Sequence, residues 1–135
     1  MPEKQTIEKA KQDLRQGKSP TTAAGEFVRE EVEHIRKGKH GARSPQQAIA
    51  IGLSKARRAG VPLKPPQKGQ AKEGTRRSAE LAYETGQKKR EPRAPSRRRT
   101  SAVSGALKRE RREAASRPAL SAQARRAAAR RRARS

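Results

Sequence analysis

Only 15 of the 135 residues are Leu, Ile, Val or Phe, and this scarcity limits the possible folds more tightly than any other property of the chain. A further 23 residues are Ala, which favours helix but buries little surface. So low a share of large apolar side chains, joined to a net charge of +23, is the composition of chains that stay largely disordered. One small domain is therefore the expected ceiling.

Eleven of the fifteen lie in the first 63 residues, so any packed domain is expected there. Ile7, Ala10 and Leu14 recur at i, i+3 and i+7, which predicts a short helix over residues 6–16 closed by Gly17. Ser19-Pro20 opens a second helix running to about Lys37, with Ala24, Phe27, Val28, Val32 and Ile35 on one face and Glu26, Glu30 and Glu33 on another. Ser44-Pro45-Gln46-Gln47 has the form of a capping box. It predicts a third helix ending at Gly60, in which Gly52 and the alanines permit close helix approach.

The fold expected is all-α, with about three helices over residues 1–63 and an extended VPLKPP at its end. Residues 64–74 read as a linker, and 75–87 as a short helix with only Leu81 and Tyr83 as large apolar residues. Residues 88–135 read as a basic tail, disordered or conditionally helical, whose segments 101–116 and 121–133 gain helix once their charge is neutralised.

Charge points to the partner. Lys and Arg number 36 against 13 acids, and residues 88–135 alone carry 18 basic and 3 acidic residues. A polyanion is the natural counterion, and phosphates held by Lys and Arg release condensed cations whatever the base sequence. The expected contacts in the tail are Arg97, Arg98 and Arg99, then Lys108, Arg109, Arg111 and Arg112, then Arg125, Arg126, Arg130, Arg131 and Arg132. Lys39 and Arg43, with Lys55, Arg57 and Arg58 at the end of the third helix, form a second expected patch, unless the latter cations simply complement the helix dipole.

No zinc-finger spacing is present, and the loop before Ser44 is longer than a helix-turn-helix uses, so little base-specific reading is expected. One Phe, one Tyr and no Trp leave no stacking platform for single strands, which favours duplex DNA over RNA. The acidic flank of the second helix is mostly accounted for by intrahelical pairs; a sharper reading has it docking the basic tail until DNA competes it away.

The remaining chemistry reads as sparse. With no Cys there is neither a disulfide nor a thiolate site. His34 and His40, with Glu30 and Glu31 nearby, lack a third strong ligand and read as surface histidines, so no metal or other cofactor is expected. No nucleophile motif, phosphate loop or paired-carboxylate pocket occurs, so neither an enzyme nor a small-molecule substrate is expected. SRRRTS at residues 96–101 has the pattern a basophilic kinase accepts. No apolar run approaches the roughly 20 residues that cross a bilayer, and the expected location is the cytoplasm, at the nucleoid, without membrane attachment.

Residues 25–63, GEFVREEVEHIRKGKHGARSPQQAIAIGLSKARRAGVPL, resemble the core signature of an uncharacterised bacterial domain-of-unknown-function family of small basic proteins, and QAIAIGLSKARRAG is their most distinctive part. The resemblance implies a bacterial origin, and some members of that family carry DNA-binding or plasmid-stabilisation labels. It defines no catalytic or ligand residue to carry over. The function expected is non-sequence-specific duplex DNA binding of a nucleoid-associated kind. The alternatives are an RNA- or ribosome-associated protein, or an adaptor or antitoxin-like module that binds a protein through the apolar face of the second helix.

Overall fold

The computed structural model describes residues 3–88 and 96–134, and among them the fold is all-helical. Six α-helices follow one another: α1 (Lys4–Arg15), α2 (Pro20–Arg36), α3 (Pro45–Arg58), α4 (Glu73–Gly86), α5 (Arg97–Arg109) and α6 (Arg117–Arg134), with a single 3₁₀ turn at Glu113–Ala115. The described residues form two compact units, 3–30 with 50–88, and 31–49 with 96–134. Helices α2 and α3 each contribute one part to each unit.

Local signals set the helix ends. Serine hydroxyls cap four helices, accepting the backbone N–H of Thr22 (Ser19), Gln47 (Ser44), Arg99 (Ser96) and Ala119 (Ser116), each at 3.2 Å. At Ser44 the capping box is displaced by one residue, for the Gln47 side chain returns to the N–H of Arg43 at 2.7 Å. Gly17, Gly38 and Gly60 close α1, α2 and α3 at positive φ, each with the paired N–H···O bonds of a Schellman turn. Helix α4 ends differently. Lys88 takes the left-handed conformation (φ 62°), while Gly86 is needed for closeness, since a Cβ there would collide with the carbonyl of Arg57.

The core of the first unit is Phe27 surrounded by Ala10, Ala23, Ala24, Ala56 and Val61, with Ile7, Leu14, Leu53 and Leu63 packed around them. Alanine and glycine let backbones meet where side-chain volume is lacking: a Cβ on Gly52 would come within 2.7 Å of Val28 Cα. The VPLK segment is held by Arg57, which is 8% exposed and donates from Nε to the Leu63 carbonyl (3.1 Å) and from Nη2 to that of Lys64 (3.4 Å). Burial lowers the pKa of this guanidinium below the usual arginine value. At the start of α4, Arg76 pairs with Glu73 at 2.6 Å and holds its carboxyl below the ordinary range.

The second unit is built on Ile35, Ala42, Ala48, Ala114 and Ala115, with Val32 beside them. Backbone hydrogen bonds do much of the joining. Gly41 N–H donates to the Leu107 carbonyl at 2.7 Å, Ala42 N–H to that of Arg111 at 3.0 Å, and Arg36 Nε to that of Ala115 at 2.9 Å. Gly41 has no room for a side chain, because its Cβ would strike the Glu110 carbonyl.

The chain therefore departs from the expected division. The first unit continues past residue 63 through α4, and residues 96–134 carry α5 and α6 within a packed unit instead of forming a loose tail. The expected short helix is present, and what α4 buries is Ala79 and Ala82, with Leu81 exposed. On the apolar face of α2, Phe27 and Ile35 are wholly buried in the two cores, and Val28 and Val32 are half-buried. The acidic flank of that helix is only partly available: Glu30 is buried and accepts the Glu3 N–H, Glu26 pairs with Lys9 and Arg29, and Glu33 is exposed.

Three substitutions test this account of packing. Phe27→Ala should cost about 3–5 kcal/mol, because the surrounding alanines cannot fill the cavity. Gly25→Ala, at an open position in α2, should stabilise by about 0.5–1 kcal/mol, while Gly41→Ala should destabilise by about 1–3 kcal/mol. Thermal unfolding followed by far-UV circular dichroism reads all three.

Candidate nucleic-acid interface

Charge separates between the units. The first holds 15 basic and 8 acidic residues over its described positions, net +7, and the second 18 basic and 4 acidic, net +14. The second unit thus carries twice the excess on fewer residues.

Helix α6 presents the densest array. Arg125, Arg126, Arg130, Arg131 and Arg132 are all exposed, and at 100° per residue they point to every side of the helix. Helix α6 buries Gln123 and half-buries Leu120 and Ala127 on the same side, and like charges four apart, such as Arg126 and Arg130, destabilise it. Helix α5 buries no residue, and it places Arg97, Arg98 and Arg99 in its first turn, where the positive end of the helix dipole opposes cations. Both arrangements are costly in isolation and are relieved by an anion.

The end of α5 and the middle of α6 border one depression of about 470 Å³ in the second unit, where Arg43, Arg109, Arg111 and Arg126 line the wall with Glu110 and Glu113. Ser44 and Pro45, the start of α3, lie in the same wall. Backbone N–H groups at a helix start favour anions, and the guanidinium fork matches a phosphate bidentately. Among the described residues, none of these four arginines is held in an ion pair.

The remaining expected contacts divide. Lys39, Arg58, Lys108 and Arg112 are exposed and Lys55 is half-buried, but Arg57 is not available to a ligand, since its guanidinium is occupied by the Leu63 and Lys64 carbonyls. Lys39 and Arg43 belong to the second unit and Lys55, Arg57 and Arg58 to the first.

The histidines also differ from expectation. Neither is a freely exposed surface group: the side chains of His34 and His40 are 13% and 17% exposed, and both converge on wholly buried Glu31. His40 Nε2 lies 3.2 Å from Glu31 Oε2 and His34 Nδ1 lies 3.9 Å from Oε1, with all three ligand atoms within 4.8 Å of one another. The spacing that pairs His34 with Glu30 also holds, since His34, Glu30 and Glu3 bring ligand atoms within 4.8 Å of one another; the return of His40 across the Gly38 turn carries no local signal.

No family model matches the chain, and no curated protein or solved structure matches it. No helix among the described residues is long and apolar enough to cross a membrane.

Neighbouring arginines should behave oppositely. Arg57→Ala leaves two inward carbonyls without donors and should cost about 1–3 kcal/mol of stability, whereas Arg58→Ala should cost almost none. Chemical denaturation of the two variants measures the difference.

Proposed function

We propose that this protein binds duplex DNA through its phosphates, without reading base sequence, in a nucleoid-associated or replicon-maintenance role. The observation that carries the reading is the surface of the second unit: exposed arginines along α6, arginines in the first turn of α5, and a depression where Arg43, Arg109 and Arg111 join Arg126 of α6. Each cation placed against a phosphate releases condensed counterions, which gives affinity that is strong at low salt and falls steeply as salt rises.

Helical order adds geometry to charge. Carried on α5 and α6, the arginines are spaced along rods that can lie against a duplex backbone, so less ordering entropy is lost on binding than a flexible tail would lose. The packing of Ala114 and Ala115 against Ile35 holds the basic segment to its unit. The first unit, with half the excess charge, then serves as the folded body that carries the array. Structured RNA presents the same phosphate charge and is the competing ligand to be measured.

Replacing Arg125, Arg126, Arg130, Arg131 and Arg132 together by Gln, which keeps helix propensity, should make the slope of log K against log salt shallower by about 2–4 units. Fluorescence anisotropy with the full chain and a labelled duplex reads the slope. An unchanged slope would contradict the assignment, and tighter binding of a structured RNA competitor would transfer it to RNA.

A further inference from the structure

We propose that Glu31, His34 and His40 form a binding site for one zinc ion in the second unit. The cluster is independent of the arginine surface and was assembled by the fold from two separate elements. Glu31 and His34, three apart on α2, share one side of that helix. The Schellman turn at Gly38, with the Lys39 N–H on the His34 carbonyl at 3.0 Å, then reverses the chain so that His40 returns over the same side.

The donor atoms are already near coordination geometry. Ligands held at about 2.0–2.1 Å in a tetrahedron stand about 3.3 Å apart; here His40 Nε2 lies 3.2 Å from Glu31 Oε2 and His34 Nδ1 3.9 Å from the other oxygen, Oε1, and one ligand atom from each residue falls within 4.8 Å of the others. The tautomer of His40 is fixed as well. Its Nδ1 lies 2.9 Å from the Gly41 carbonyl, which can only accept, so Nδ1 carries the hydrogen and Nε2 is the nitrogen aimed at Glu31. Such an outer hydrogen bond orients a metal-binding imidazole and raises its basicity.

Two imidazoles and one carboxylate suit zinc and its neighbours in the transition series; magnesium and calcium require more oxygen ligands than converge here. The partial exposure of both histidine side chains leaves water a path to the fourth position. A metal bound there would clip the end of α2 to the KGKHGAR loop. Gly41 and Ala42, next along that loop, hold the Leu107 and Arg111 carbonyls, so the clip stabilises the connection that carries the arginine segment. The site is structural in this reading, and zinc binding adds to folding free energy.

The test is calorimetric titration of the metal-free full chain with zinc chloride, alongside visible absorption of the chain loaded with Co²⁺. One zinc per chain, ligand-field bands of four-coordinate cobalt, and a higher thermal unfolding midpoint with zinc are the results expected. His40→Ala, in the loop, should lower zinc affinity at least ~100-fold, beyond what loss of an outer hydrogen bond alone produces, and His40→Gln serves equally if the alanine variant unfolds. Zinc binding that is unaltered by these substitutions, or an unmodified chain that gives no cobalt bands and no one-to-one saturation, would overturn the site.

Discussion

Everything in this structure depends on close backbone approach, because the chain has too few large apolar side chains to fill wide gaps between helices. Among the described residues, Phe27 and Ile35 are the only large apolar ones buried completely, and alanines surround both. Where two segments must touch, glycine removes the last obstacle: Gly52 against Val28, Gly86 against Arg57 and Gly41 against Glu110. Packing density is gained through proximity, and part of the hydrophobic work passes to hydrogen bonds from Arg57, Arg36, Gly41 and Ala42 to carbonyls elsewhere in the chain.

The same economy makes the arginine-rich region foldable. A segment with arginine on every side cannot contribute a conventional apolar stripe, yet Ala114 and Ala115 require only a small pocket, which Ile35, Ala42 and Ala48 supply. Anchored at that point, α5 and α6 leave their guanidiniums exposed. The cost of like-charge repulsion along α6 and of cations in the first turn of α5 stays in the free protein and is relieved when anions arrive. Under the proposed function stability and binding are coupled: what weakens the free helices would strengthen a complex with a polyanion.

Local features of the fold could be read from the residues. Serine caps, Pro at the first helical turn and the stops at Gly17, Gly38 and Gly60 mark the first three helices, since such signals act within a few residues. What could not be read is non-local. Nothing near Gly41 announces Leu107 or Arg111 as its partners, and alanine gives no clue whether it will pack, as Ala79 and Ala114 do, or face solvent, as Ala102 does. Arg57 and Arg58 are adjacent and alike in sequence, but the helix rotation buries one and exposes the other. The histidine cluster was hidden for the same reason: its third member arrives across a turn.

The most direct test of the account is the affinity of the unmodified chain for two duplexes of unrelated sequence, followed by anisotropy over a salt series. Phosphate binding by the arginine surface predicts equal affinity for both duplexes and a steep linear fall of log K with log salt. Strong preference for one duplex, or binding to neither below about 10⁻⁵ M near physiological salt, would contradict it.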